Sequence, residues 1–365
     1  MEEQLKQSTG KGNYEHFMLK EIDEQPTVIR NLIEKYTNAG EVVIEDDVRK
    51  SLLRADSLYI IACGTSYHAG LVGKDLIEKW AEIPVEVHIA SEFAYNMPLL
   101  SKKPLFIFIS QSGETADSLV VFNKVKELGY PTMTIANVAD STLVREANHA
   151  LLLHAGEEVA IASTKAYMAQ LVVLAVVAAD LAKQKGIALS IDIKEELEEI
   201  ANVVETITAN KEPFKMVARD YFKEAKNCFF LGRTLDYYTA LEASLKLKEV
   251  SYIYAQGYGA GEFKHGTMAL VEKNMPVFAV KTQKHISDLI DHNMKEIEAL
   301  GAKTCIISTT KTKTEGDQIV IPAVYETLSP LVSIVPFQMI AYYTALQLGR
   351  DVDEPRNLTK AVVAE

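Results

Sequence analysis

Cysteine is scarce: the 365 residues hold three, Cys63, Cys228 and Cys305, far apart and with no CxxC pair. That excludes a thiolate zinc site and a disulfide framework, and it fits a reducing, cytoplasmic setting. Positive charge is in deficit, with 38 Lys and Arg against 50 Asp and Glu and a net charge of −12. A general nucleic-acid or anionic-membrane surface needs a basic stripe, so neither partner is expected. A single small phosphate remains compatible, because a few amides and hydroxyls can hold it. Long hydrophobic runs are missing as well. The most apolar stretch, Leu171–Ala179, lies between Gln170 and Asp180 and falls far short of the roughly 20 residues of a membrane span, so it reads as a buried core helix. The opening MEEQLKQSTGKGNYEHF is polar and charged and does not read as a signal peptide. No GxxxxGK[ST] pattern is present, which excludes a nucleoside-triphosphate P-loop. The eight histidines show no metal-ligand spacing, so no metal and no cofactor is expected.

What is present is an alternation of short apolar runs with helix-length segments. Ser57–Ala62, Val85–Ile89, Leu105–Ile109, Thr132–Ala136 and Ala150–His154 read as strands, with helices over Tyr67–Trp80 and Asp117–Leu128. Residues 164–186 and 193–224 are helical by pattern, the second stretch charged on one face. From Cys228 the order returns: strand Cys228–Leu231, helix Tyr237–Tyr252, strands Val277–Val280, Cys305–Ser308 and Ile319–Ile321, and helices Ile286–Leu300 and Leu328–Leu348. Continuous Val/Ile/Leu/Phe runs separated by helices mark parallel sheets covered on both faces. The pattern predicts an α/β protein of two related halves: a helical lead over 1–50, a first domain over 51–190, connecting helices over 191–225, a second domain over 226–350 and a tail over 351–365. In such folds ligands sit beyond the C-terminal strand ends at the switch point, which directs attention to the loops after Ala62, Ile109, Leu231 and Val280.

The loop in IFISQSGETADS (107–118) runs a buried strand into Ser110, Gln111, Ser112, Gly113 and Thr115 before a helix. Hydroxyls, an amide and a glycine at a helix start suit an anion, and they equally suit simple capping. Thr65 and Ser66 form a second hydroxyl-bearing turn in the same half, which favours a shared phosphate pocket. Ser163 and Thr164 open the long helix. In the second half, Lys246 and Glu249 lie three apart in the otherwise apolar LEASLKLKEVSYI, on one face and able to pair; a solvated surface pair is the plain alternative. The stretch GYGAGEFKHG (257–266) reads as a flexible or tightly turning loop with His265 as a possible acid–base group. The tail DVDEPRNLTKAVVAE is apolar enough to dock, and a lysine such as Lys360 held there can form a Schiff base with a sugar carbonyl.

Taken in order, YEHFMLKEIDEQP (14–26), CGTSYHAG (63–70), SQSGETAD (110–117), ASTKAY (162–167), SLKLKEVSYI (244–253) and DVDEPRNLTK (351–360) resemble the isomerase half of glucosamine-6-phosphate synthase, the isomerising glutamine–fructose-6-phosphate transaminase. The resemblance covers nearly the whole chain and implies two tandem flavodoxin-like sugar-isomerase (SIS) domains. It implies fructose 6-phosphate, glucose 6-phosphate and glucosamine 6-phosphate as ligands. Thr65, Ser66, Ser110, Gln111, Ser112 and Thr115 match its phosphate-and-sugar pocket, and Ser163 a sugar-hydroxyl contact. Glu249 matches the base moving a proton between C1 and C2, and Lys246 its cationic neighbour. His265 matches the ring-opening residue, contributed across a homodimer, and Lys360 the Schiff-base lysine.

Departures accompany the match. The N-terminal cysteine nucleophile of the glutaminase half is absent, which implies a chain confined to the sugar chemistry. Gln256 and Gly259 stand in AQGYGAGEFKHGTM where the family commonly has an AEGYAAGELKHGP-like sequence, and the tail ends KAVVAE rather than KSVTVE-like. These bear on loop dynamics and ammonia delivery. Two other readings fit the same fold: a stand-alone amino-sugar-phosphate deaminase or fructosamine-phosphate deglycase, and a non-catalytic sugar-phosphate sensor. A sensor has no need of Glu249, His265 and Lys360, and no helix-turn-helix segment accompanies them.

Overall fold

In the computed structural model, residues 10–362 are described. Ten strands form two five-stranded parallel sheets. The first contains β1 (Ser57–Ala62), β2 (Val85–Ile89), β3 (Pro104–Ser110), β4 (Thr132–Ala136) and β5 (His149–Leu152); the second contains β6 (Asn227–Gly232), β7 (Tyr254–Gly259), β8 (Pro276–Lys281), β9 (Lys303–Thr309) and β10 (Ile319–Ile321). Their spatial orders are β2-β1-β3-β4-β5 and β7-β6-β8-β9-β10, so each half repeats the flavodoxin-like 2-1-3-4-5 order. The expected fold is therefore present in both halves. Central strands such as β1 and β3 are buried at every position, which is why they read as unbroken apolar runs rather than alternating ones.

The halves correspond closely in local geometry. Gly64, just after β1, has φ +53°, and Thr234, just after β6, has the same φ. The helices that follow, Gly64–Ala81 and Leu235–Ser251, both end on a left-handed residue, Glu82 and Tyr252. A constant shift of 170 relates 64 to 234 and 82 to 252, so Ser66 corresponds to Asp236, Val72 to Glu242 and Leu76 to Lys246. The register of β1 with β3 (Ile61 opposite Phe108) and of β6 with β8 (Leu231 opposite Ala279) likewise matches Ser110 to Lys281 and Gln111 to Thr282.

Helices Gly64–Ala81 and Leu235–Ser251 pack on each other and join the halves, backed by Lys165–Gln184 and Pro330–Gln347. One apolar core runs through all four, and two smaller clusters fill the outer sheet faces. Lys165–Gln184 and Glu326–Gln347 are long and apolar enough to cross a membrane by composition, yet their most apolar windows are 100% and 94% buried inside the protein. The reading of Leu171–Ala179 as a core helix holds. The lead contributes helices Phe17–Asp23, Gln25–Tyr36 and Asp46–Arg54.

Some local expectations differ. The 193–224 stretch is two helices, Ile193–Ala209 and Glu212–Phe222, broken where Pro213 enters the first turn of the second. The helices Ala90–Tyr95 and Thr142–Glu146 are too short to show a period. The start of GYGAGEFKHG is not a loop: residues 257–259 complete edge strand β7, and short 3₁₀ turns follow. Gly257 is there for close packing, since a Cβ would lie 2.8 Å from the Ala240 carbonyl oxygen and the Leu241 backbone.

Candidate active site

Strand β3 delivers Ser110 to the switch point of the first sheet. The Ser110 hydroxyl lies 3.0 Å from the Thr115 hydroxyl and accepts the Gly113 amide at 2.9 Å, and Ser112 Oγ accepts the Glu114 amide at 3.2 Å. Gly113 has φ +68°, and a Cβ there would lie 2.0 Å from Ser141 Oγ, so the loop closes tightly only with glycine. The helix beyond it, Ala116–Glu127, points its N-terminus at this hydroxyl cluster, a favourable end for a phosphate. Ser66, on the adjacent turn, accepts the Gln170 amide at 2.9 Å.

Thr65 joins the halves. It donates to Glu242 Oε1 and accepts from Lys246 Nζ, both at 3.0 Å. Lys246 is wholly buried and lies 2.7 Å from Glu249 Oε2 and 3.4 Å from Glu242 Oε1. The helix supplies the three groups because positions 242, 246 and 249 fall on one face. Burial acts to lower the Lys246 pKa, but Glu249 and Glu242 outweigh it and hold the ammonium well above the ordinary lysine range. The Lys246–Glu249 pair is therefore formed, and it is no surface pair. His68 Nδ1, 2.7 Å from the other Glu242 oxygen, completes the group.

The tail folds back over the first half. Asp353 caps the Phe17–Asp23 helix through the Phe17 and Met18 amides, both at 2.9 Å, and its carbonyl accepts the Ile161 amide. The Val362 carbonyl accepts the Ala116 amide at 2.9 Å, at the start of the helix after the hydroxyl loop. Between these anchors Lys360 Nζ donates to Glu158 Oε2 at 2.7 Å and to the Ala160 carbonyl at 2.6 Å. Glu158 is fully buried and also accepts the Thr164 and Ala166 amides. Burial works to raise its pKa, but Lys360 and those amides bring it below the ordinary glutamate value. Glu21 braces the same loop through the Val159 amide; burial first, then Glu158, lifts its carboxyl to about 8. The docking expected of the tail is present through Val362, and residues 363–365 lie outside the described residues.

Thr65 thus meets Lys246, which holds Glu249, with Ser66 next to it in sequence, while the tail that carries Lys360 reaches Ala116, the residue after Thr115 at the end of the hydroxyl loop. Gln111 lies in the same loop, its carbonyl accepting the Asn137 amide. Ser163 Oγ is buried without a partner. His265 stands apart: it is exposed, and no hydrogen bond or ion pair among the described residues joins its side chain to the others. Gln256 and Gly259 lie on β7. Sequence reasoning missed Glu242, Glu158, His68 and Glu21. The signal for Glu242 was available, four residues before Lys246 in an apolar helix; Glu158 and Glu21 gave none, because chain folding alone brings them together.

The SIS-domain family model matches residues 51–179 and 221–348. The glutamine–fructose-6-phosphate aminotransferase (isomerising) of Geobacillus kaustophilus is 59% identical over 97% of this chain, and the chain spans 59% of that relative's length. Among solved structures, the C-terminal domain of the glucosamine-fructose-6-phosphate aminotransferase of Francisella tularensis aligns with a TM-score of 0.90 at 39% identity, over 95% of this chain and all of that one. The glucosamine-6-phosphate deaminase of Thermotoga maritima aligns at 0.78 and 26% identity, over 95% of this chain and all of that one. Two separately matched halves and one fold order in both make this chain a tandem member of the SIS-domain family, similar over 95% of its length to the C-terminal domain of a glucosamine-fructose-6-phosphate aminotransferase.

Proposed function

We propose that this chain interconverts fructose 6-phosphate and glucose 6-phosphate as the sugar-converting part of glucosamine 6-phosphate synthesis in the cytoplasm. The observation that carries the reading is Lys246, fully buried, which ties the Glu249 carboxylate of one half to Thr65 beside the hydroxyl loop of the other. Substrate phosphate rests on Ser110, Gln111, Ser112 and Thr115 at the helix N-terminus, with Ser66 alongside. Ser163 supplies a hydroxyl contact.

Lys360 is the nucleophile, and the iminium it forms with the ketose is the electrophilic group. As an ammonium paired with Glu158 the lysine is not nucleophilic, so Glu158, 2.7 Å away, takes a proton from it as the open-chain ketose arrives. The free amine adds to C2, the carbonyl oxygen leaves as water, and the iminium acidifies the C1 protons. Ammonia adds to that iminium and releases Lys360 as the leaving amine, and Glu249 then moves one proton from C1 of the new imine to C2 to give the amino aldose. Without ammonia, water releases Lys360, and Glu249 makes the same C1-to-C2 transfer on the free open-chain ketose through an enediol, while Lys246 balances its charge. His265, exposed on its own chain, reaches a neighbouring site in a homodimer and opens the sugar ring there. The three free cysteines, two of them buried, suit a reducing compartment.

The test is the purified chain with fructose 6-phosphate, with and without ammonium. Glucose 6-phosphate is expected, with the amino sugar only when ammonium is present; no turnover in either case removes the reading. Lys360→Arg is expected to abolish borohydride trapping of the ketose, and persistent trapping takes Lys360 out of its role. The likeness to the Thermotoga deaminase favours a second reading, amino-sugar-phosphate deamination, which ammonia release from glucosamine 6-phosphate faster than isomerisation would establish.

A further inference from the structure

The second sheet has the same switch point as the first, between β6 and β8, and its crevice is occupied by the protein itself. Where the first half places Ser66, the second places Asp236, 1% exposed. Its Oδ2 accepts the Thr282 amide at 2.8 Å and its Oδ1 accepts the Thr282 hydroxyl. Thr282 is the register equivalent of Gln111. Its hydroxyl is also 2.7 Å from Ser329 Oγ, which accepts the Gln283 amide nitrogen at 2.9 Å. The lysine beside Thr282 is neutralised as well: Lys281, the equivalent of Ser110 and wholly buried, is held by Asp291 at 2.5 Å and Asp317 at 3.1 Å. The Thr282 amide and hydroxyl, just after the third strand, bind the carboxylate directly, and Ser329 and the Gln283 side-chain amide brace that hydroxyl from behind, which together make an anion cradle. In this half a carboxylate lies in it.

We propose that Asp236 is a built-in anion, standing in the second crevice where the first crevice takes a phosphomonoester, and that removing its carboxylate uncovers a second site for a phosphate dianion. Duplication thus leaves one sugar-phosphate site per chain by filling the other from within. The proposal concerns anion binding alone and stands whether or not the sugar chemistry above is correct. Two features limit the uncovered site to weak binding. Glu326, accepting the Lys284 amide at 3.2 Å, remains at the rim, and Lys281 stays committed to its aspartates.

Equilibrium dialysis of inorganic phosphate against the whole chain tests this. Wild type is expected to hold one equivalent, and Asp236→Ser, which copies Ser66, two. A folded Asp236→Ser chain that gains no phosphate overturns the proposal. The first crevice is disabled separately by Ser110→Ala with Thr115→Val. That protein is expected to bind none, and the same background with Asp236→Ser one. One equivalent bound by the disabled protein with Asp236 intact overturns the proposal too, even if Asp236→Ser itself does not fold. Failure of the phosphate assignment in the first half reads differently: wild type binds none while Asp236→Ser binds one.

Discussion

The two crevices share strand order, register and the turn after the first strand, and they are opposite in content. The first is lined by hydroxyls at a helix N-terminus under a docked tail; the second is packed with charged groups, Asp236 hydrogen-bonded by Thr282 and Lys281 ion-paired with Asp291 and Asp317. The helices that join the halves show the same division. Leu235–Ser251 carries Glu242, Lys246 and Glu249, where its counterpart Gly64–Ala81 has Val72, Leu76 and Lys79. One half presents the hydroxyl loop, and the other supplies charged groups, of which Glu242 and Lys246 reach across to Thr65. Duplicating a fold does not duplicate a site; a few positions in each copy decide which part it supplies.

The sharpest way to break this comparison is to make the second helix resemble the first. Lys246→Leu removes the ammonium from the buried Glu242, which keeps only Thr65 and His68, and from the half-buried Glu249, at an expected cost of about 3–5 kcal/mol by chemical denaturation. Adding Glu242→Val rebuilds the Val72/Leu76 pair and is expected to recover most of that loss, while turnover stays abolished because Glu249 has lost its partner. Stability that stays low in the double variant argues that the network is structural before it is functional.

A second measurement isolates Asp236. Burial raises its carboxyl to about 6, against the lowering effect of the Thr282 hydroxyl and of the Thr282 and Gln283 amides. A carboxyl raised in the folded state binds its proton more tightly there than in the unfolded chain. Its contribution to stability is therefore most favourable below about pH 4 and falls as pH rises to about 6, by roughly 3 kcal/mol. The difference between the pH–stability curves of wild type and Asp236→Ser is expected to show this fall; parallel curves refute it.

The smallest effect concerns the matched turns. Thr234 and Gly64 share φ +53°, a value costly for a β-branched residue. Thr234→Gly is expected to raise the melting temperature by the equivalent of about 1 kcal/mol, and Gly64→Thr to lower it by at least as much. Equal effects of one sign at both positions contradict the equivalence of the halves.

Much of this was legible in the chain. Strands buried on both faces read as apolar runs, so β1, β3 and β4 fall within a residue of expectation, and the two-half pattern followed. β7 was not legible, because glycines chosen for close helix packing look like loop glycines. The site divided in the same way. Ser110, Gly113 and Thr115 announce themselves as a local turn at a helix start, and Lys246 with Glu249 by helical spacing. Glu158 and Lys360 are 202 positions apart and meet only because the tail returns.

The sequence by itself determined the alternation of buried strands and helices, the duplication and the identity of the hydroxyl loop, since these depend on periodicity and on neighbours within one turn. Only the tertiary structure decided that Thr65 faces Lys246, that Glu158 holds Lys360 and that Asp236 fills the second crevice. Those are pairings of charge across elements distant in sequence. Their energies come from burial and from distances of about 3 Å, which no local pattern encodes.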